Sequence, residues 1–267
     1  MASVIGVDIG GTNLRIGYVN QNGIIQNFEK VDIKTCLSPD SVTGLRYKIE
    51  NFINKNPITD NIVAVSIGVP SSVSKDKSFI YSTPNLPGLN NIDLGHILEK
   101  FFKIPVFIDR DVNYLLSNDI NENNLDPTKE KNIIGIYVGT GIGNALYING
   151  KFYTGRNGVA GELGHIPLLG STLKCGCGNI GCAETMASGR FLENICKEYF
   201  SDIEIKDVFT KKKDHPLIQE FLKCLGYVIS TEINIFDPDY VVLAGGVLFM
   251  EGFPLDVLLK EIKSHIR

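Results

Sequence analysis

The feature that most constrains this 267-residue chain is a pattern that occurs twice. Near the start, the apolar run Val4 to Asp8 ends in Asp8-Ile9-Gly10-Gly11-Thr12-Asn13 and continues into the strand-like Leu14 to Val19. Midway, Asn132 to Val138 ends in Gly139-Thr140-Gly141-Ile142-Gly143 and continues into Ala145 to Ile148. Short apolar runs bounded by glycine predict strands. Two strand–turn–strand units at matching places predict two related halves. Glycine removes the Cβ that would keep a phosphate oxygen from backbone N–H donors, and threonine adds a hydroxyl donor. Either loop alone is equally readable as a plain hairpin turn; two of them, one per half, favour phosphate binding. Neither fits the G-x-x-x-x-G-K-[ST] loop, and the second lacks the G-x-G-x-x-G spacing of a dinucleotide site.

Around these loops the pattern alternates. Asn22-Gly23 predicts a hairpin turn before a strand at Ile24 to Val31. Helices are predicted at about Asp40 to Asn54 and Ile92 to Phe102, and strands at Ile62 to Val69 and Pro105 to Asp109. The second half adds helices near Gly189 to Tyr199 and Pro216 to Phe236. A strand at Tyr240 to Ala244 then leads into Gly245-Gly246 and a last helix. This is an α/β chain, divided as 1–120 and 121–267, with two lobes expected to face a cleft.

Composition narrows the function classes. Net charge is −4, and the densest basic run, Lys211-Lys212-Lys213, meets Asp214 at once, so no nucleic-acid groove is expected. No apolar run approaches the roughly 20 residues of a membrane span, and the N-terminus has no signal-peptide layout. A cytoplasmic protein with no membrane partner is expected. Of six cysteines, three cluster in Cys175-Gly176-Cys177-Gly178-Asn179-Ile180-Gly181-Cys182, shortly after His165. Three thiolates and an imidazole complete a closed, structural zinc shell. Cys36, Cys196 and Cys224 are expected to be buried apolar residues. Zinc would pin Glu162 and Glu184 near one place, where carboxylates can bind vicinal sugar hydroxyls; the alternative is that both are surface charges.

Two aspartates carry further expectations. Asp8 beside a phosphate loop would be repelled unless a cation intervenes, which makes it a candidate for Mg²⁺. Asp111, in Ile108-Asp109-Arg110-Asp111-Val112-Asn113, ends a strand and precedes a helix. It can be a general base for a hydroxyl or simply a helix N-cap. Arg110 can neutralise a neighbouring aspartate or face a ligand.

Taken in order, Asp8-x-Gly-Gly-Thr, Gly161-Glu162-Leu163-Gly164-His165, Cys175-Gly-Cys-Gly-Asn-x-Gly-Cys182-x-Glu184 and Asp237-Pro238-x-x-Val-Val-Leu-Ala-Gly245-Gly246 resemble the ROK family (repressors, open reading frames, kinases) over nearly the whole chain. Val73 to Lys77, Ser82 to Pro87, Arg110 to Asn113, Gly158 to Pro167 and Ile233 to Asp239 resemble its allose-kinase type. The resemblance implies a two-lobed, actin-like and hexokinase-like (ribonuclease H-like) fold, with ATP and sugar in the cleft. It implies Asp111 as catalytic base, and Asn85, Arg110, Glu162, His165 and Glu184 on the sugar. Asp8, Gly10, Gly11, Thr12 and Asn13 would meet phosphate and Mg²⁺, Gly139, Thr140 and Gly141 would form the second phosphate loop, and Gly245 and Gly246 would flank adenosine. His165 would bind zinc through one ring nitrogen and sugar through the other. Phosphoryl transfer to the 6-hydroxyl of an aldohexose, D-allose first and glucose or N-acetylmannosamine after it, is the implied reaction; a homodimer is the implied assembly. Many family members have Asn before the catalytic Asp, where this chain has Arg110. The family also continues beyond the position of Arg267, which raises a sugar-binding remnant as an alternative. A family repressor would carry a DNA-binding domain ahead of the first loop, where this sequence has seven residues before Asp8.

Overall fold

The computed structural model describes residues 2–36, 40–83, 86 and 88–267. The chain divides into two compact units, 1–115 with 154–159, and 116–153 with 160–267. The predicted division after residue 120 falls inside a helix; the chain changes unit at 115, and 154–159 returns to the first.

In the first unit, β1 (Ala2–Ile9), β2 (Asn13–Asn20), β3 (Ile25–Asp32), β4 (Asn61–Val69) and β7 (Val106–Arg110) form a sheet in the order β3-β2-β1-β4-β7. β1 alternates strictly, burying Ser3, Ile5, Val7 and Ile9. β2 pairs with it antiparallel, and β4 pairs with it in parallel. A short helix α1 (Ile33–Cys36) follows β3. Helix α2 (Ser41–Lys55) starts where the Asp40 carboxylate accepts the Thr43 N–H at 2.8 Å. Its Leu45, Ile49 and Phe52 repeat every three to four residues and are fully buried. A hairpin of β5 (Ser72–Val73) and β6 (Ile80–Ser82) follows β4, and α3 (Leu94–Phe102) precedes β7. Helix α4 (Asp111–Glu122) begins directly at the end of β7 and crosses the unit boundary.

The second unit repeats the scheme. β8 (Ile133–Val138) pairs antiparallel with β9 (Ile142–Ile148) and in parallel with β11 (Tyr240–Ala244); β10 (Lys151–Phe152) completes the order β10-β9-β8-β11. β8, central and buried at every residue, reads as a continuous apolar run. Helices α5 (Gly189–Tyr199), α6 (Val208–Lys212), α7 (Pro216–Phe236) and α8 (Leu255–His265) supply the remaining core through Leu192, Phe209, Phe221, Val228 and Leu258.

One expectation changes. Ile142 and Gly143 are not loop. They open β9, because Val138 pairs with Ile142 and Tyr137 with Gly143. The turn is therefore only Gly139-Thr140-Gly141. Among the described residues, no helix is long and apolar enough to cross a membrane.

Candidate functional site

Parallel strands β1, β4 and β7 deliver their C-terminal ends to one edge of the first sheet, where open α/β sheets place ligands. Register sets Asp8 opposite Gly68, and Val69 opposite Arg110. At Gly68 a Cβ would come within 3.5 Å of the Asp111 Cα and 3.3 Å of the Tyr114 ring, so glycine is what lets α4 start this close to β4. Asp111 is half-buried, and its Oδ1 accepts its neighbour Val112's N–H at 2.8 Å. Burial pushes its carboxyl above the ordinary value; repulsion from Asp8 adds to this, and the Val112 bond and Arg110 oppose it. This local contact does not exclude a base role: backbone donors from its own and the next residue leave the carboxylate further acceptor capacity.

The loop after β1 is a tight turn in which Gly10 N–H donates to Asn13 O at 2.9 Å; Gly11 and Thr12 are exposed. Asn13 already belongs to β2, and the Thr12 carbonyl accepts the Ile33 N–H at 2.9 Å. The cation beside Asp8 is Arg15, its direct partner across the β1–β2 ladder, ion-paired through Asp8 Oδ2. The sequence reading missed it, although the register of so short a hairpin carries the signal. Asp8 remains 45% exposed, so a hydrated cation can still reach the carboxylate. Asp109, not singled out before, is 5% exposed and accepts from Arg110 N–H and Asn113 Nδ2 and pairs with Lys77. Arg110 is buried. Asn85 lies outside the described residues.

In the second unit the predicted residues come together around the end of β8. Gly139 O accepts from Gly189 N–H and Thr140 O from Arg190 N–H, so the turn sits on the first turn of α5. A Cβ on Gly141 would lie 2.6 Å from Glu184 Oε2. Gly245 has φ of +109°, and a Cβ there would lie 2.4 Å from Val138 O; both the conformation and the contact require glycine. Gly246 has open space around its Cα, and Val247 N–H closes the turn onto Val138 O.

The cysteine loop folds on itself through Cys175 N–H to Asn179 O, Gly178 N–H to Cys175 O and Leu168 N–H to Gly181 O. Gly178 and Gly181 take the positive φ these reversals need. One ligand atom from each of His165, Cys175, Cys177 and Cys182 lies within 4.8 Å of all the others. Zinc bond lengths of about 2.3 Å to sulfur and about 2.0 Å to nitrogen give tetrahedral edges of about 3.8 Å between sulfurs and about 3.6 Å from sulfur to nitrogen. Cys177 Sγ to Cys182 Sγ is 3.7 Å and Cys175 Sγ to His165 Nδ1 is 3.6 Å. Those two edges match, and all four ligand atoms lie close enough together to fit a zinc ion. His165 Nε2 lies 3.8 Å from Glu162 Oε2, and Nδ1 lies 3.9 Å from Glu184 Oε1. Glu184 Oε1 also accepts from Cys175 at 3.1 Å. Burial raises the Cys175 and Cys182 thiols, whereas the Asn179 N–H lowers Cys177.

The fold has known relatives. A glucokinase of Streptomyces coelicolor is 33% identical over 289 residues, covering all of this chain and 89% of that protein. A xylose repressor of Caldicellulosiruptor bescii is 28% identical over 287 residues, covering 99% of this chain and 71% of the repressor. The crystal structure of a ROK family glucokinase from Streptomyces griseus, bound to glucose and AMPPNP, superposes with a TM-score of 0.79 at 26% identity, covering 99% of this chain and 89% of that one. These matches identify the hexokinase-like α/β fold of that structure and its relatives. The ROK family profile itself spans residues 4–267, taking in both glycine turns, the Asp111 junction and the cysteine loop. With that span, and with this degree of identity to a relative over its whole length, the chain belongs to the ROK family.

Proposed function

We propose that this protein is an ATP-dependent hexose kinase that transfers the γ-phosphoryl group to the 6-hydroxyl of an aldohexose, D-allose being the favoured substrate. The observation that carries this reading is Asp111: a half-buried carboxylate of raised proton affinity, at the end of β7, facing the charge of Asp8 on the glycine-turn strand. Its role is to take the hydroxyl proton as the sugar oxygen bonds to the γ-phosphorus. The bond from that phosphorus to the β–γ bridging oxygen breaks, and its electron pair leaves with ADP. A carboxyl with raised proton affinity is a better base once ionised, and it loses activity as pH falls through its raised pKa.

Gly10, Gly11, Thr12 and Asn13 are assigned to phosphate, as are Gly139, Thr140 and Gly141; Gly245 and Gly246 are assigned to adenosine. Asp8 would hold Mg²⁺ through water, in competition with its ion pair to Arg15; the ion's contribution is to neutralise phosphate charge. His165, Cys175, Cys177 and Cys182 would hold zinc, which shapes the loop and supplies no chemistry. With Nδ1 toward the metal, His165 Nε2 is left for a sugar hydroxyl beside Glu162. Glu162, Glu184, Arg110 and Asn85 are the other sugar-binding assignments. D-allose is favoured because Arg110 stands where many family members have Asn. The existence of repressors among the relatives supports a second reading, a sugar-binding protein without turnover.

The test is ADP release over a panel of D-allose, D-glucose, N-acetylmannosamine and N-acetylglucosamine. The highest kcat/KM with allose is expected. Equal or better turnover of another hexose overturns the allose assignment, and sugar binding with no ADP release from any member selects the second reading.

A further inference from the structure

The tip of the β5–β6 hairpin is fastened to β7 twice. Lys77 O accepts the Ile108 N–H at 2.8 Å, and Lys77 Nζ pairs with Asp109 Oδ2 at 2.8 Å. β7 is an edge strand, so this tip occupies the side that β4 leaves open. Asp109 in turn accepts the Arg110 N–H at 2.8 Å and Asn113 Nδ2 at 2.7 Å through Oδ1. One buried carboxylate thus ties the hairpin, the last residue of β7 and the first turn of α4, spanning Asp111 on both sides.

A buried carboxylate is a poor choice if stability were its only purpose, since a well-packed apolar group often does as well. Lys77 also adopts φ of +60°, uncommon for a residue with a side chain. That conformation lets the same residue present both its carbonyl and its ammonium to β7. The turn is built to permit it: Lys77 N–H bonds Ser74 O, and Ser74 Oγ accepts the N–H groups of Ser78 and Phe79.

We infer that Lys77 and Asp109 are positioning residues, which hold Arg110 and Asp111 in the orientation the proposed phosphoryl transfer needs; the inference rests on that reading of Asp111. Lys77 is 48% exposed, so the ion pair itself contributes little to stability, and its value lies in geometry. When the tie is lost, Arg110 is held less firmly beside Asp111, and the stabilisation it gives the Asp111 carboxylate weakens. The other charge facing Asp111, Asp8 on β1, is untouched. Asp111 then protonates at higher pH.

The experiment compares full-length Lys77→Met, Lys77→Arg, Asp109→Asn and Asp111→Asn with the wild type, using kcat, KM, the pH–kcat profile and thermal melting. Lys75→Met removes an exposed lysine from the same turn as a control. Lys77→Met is expected to lower kcat on the order of tenfold with a smaller change in hexose KM, as a misplaced reacting group does. Its acidic limb should move to higher pH. Lys77→Arg should recover most of the rate, and Lys75→Met should match the wild type. Asp109→Asn keeps an Oδ1 acceptor but loses the ion pair to Lys77, and should lower kcat in the same way even if Lys77→Met folds poorly; because it also removes a negative charge near Asp111, its acidic limb should not rise. Wild-type kcat in both Lys77→Met and Asp109→Asn, an unmoved acidic limb in Lys77→Met, or a lowered melting temperature alone, would overturn the inference. Should Asp111→Asn itself retain turnover, the fault lies with the assignment of the base.

Discussion

Glu232 shows how much one buried group can hold in reserve. It lies on α7, 4% exposed, and its Oε2 accepts Asn144 Nδ2 at 2.9 Å. Asn144 gives its amide also to Gly135 O at 3.1 Å, and its own Oδ1 is buried without a partner among the described residues. Burial pushes the Glu232 carboxyl up to about 8. The folded state therefore holds this proton more tightly than the unfolded chain, whose ordinary value is 4.5. Its favourable contribution is complete below that ordinary value and is lost as pH rises toward and through 8. At about 1.4 kcal/mol per pKa unit, the loss by pH 9 is a few kcal/mol. Glu232→Gln keeps the acceptor and removes the titration. Urea denaturation from pH 6 to pH 9 should show the wild type losing stability and the variant largely flat. Parallel curves for the two proteins would contradict the assignment.

Among the elements, the glycine turns and the cysteine loop divide what was legible from what was not. Alternating strands, Asn22-Gly23 and the apolar stripe of α2 could be read because each depends on neighbours close in sequence. Helix α7 was bounded by Pro216 at its start and by Asp237, in the left-handed region, at its end. The length of the second turn was misjudged, because only the pairing of Val138 with Ile142 decides where β9 starts. The Lys77–Asp109 and Asn144–Glu232 contacts join positions far apart in sequence and leave no local periodicity to find. Arg15 beside Asp8 was within reach, since the hairpin register places them face to face. The cysteine loop was the most specific signal, because three cysteines and a histidine within residues 165–182 match the ligand set of a closed zinc shell. The purified protein should carry about one zinc per chain by elemental analysis. Cys177→Ser or chelation should remove the metal, lower the melting temperature and open 171–182 to protease, as expected when metal binding contributes folding energy. A metal-free protein with an equally stable loop would contradict the zinc assignment.

At the scale of the whole molecule, one architectural scheme is used twice: an antiparallel hairpin joined to a parallel strand, with a glycine turn at the hairpin's end. The repeated scheme explains why two glycine turns of this kind occur in one chain. It does not decide what the chain does, because proteins named as kinases and as repressors share this family. The decision falls on a carboxylate at the end of β7, a third parallel strand with no counterpart among the described strands of the second unit. The most direct measurement is therefore the kinetics and sugar affinity of Asp111→Asn with the preferred hexose. Turnover should fall by at least about 10³-fold while the calorimetric sugar Kd stays within a few-fold of the wild type. Near-normal turnover in the variant would contradict Asp111 as the base on which the proposed mechanism rests.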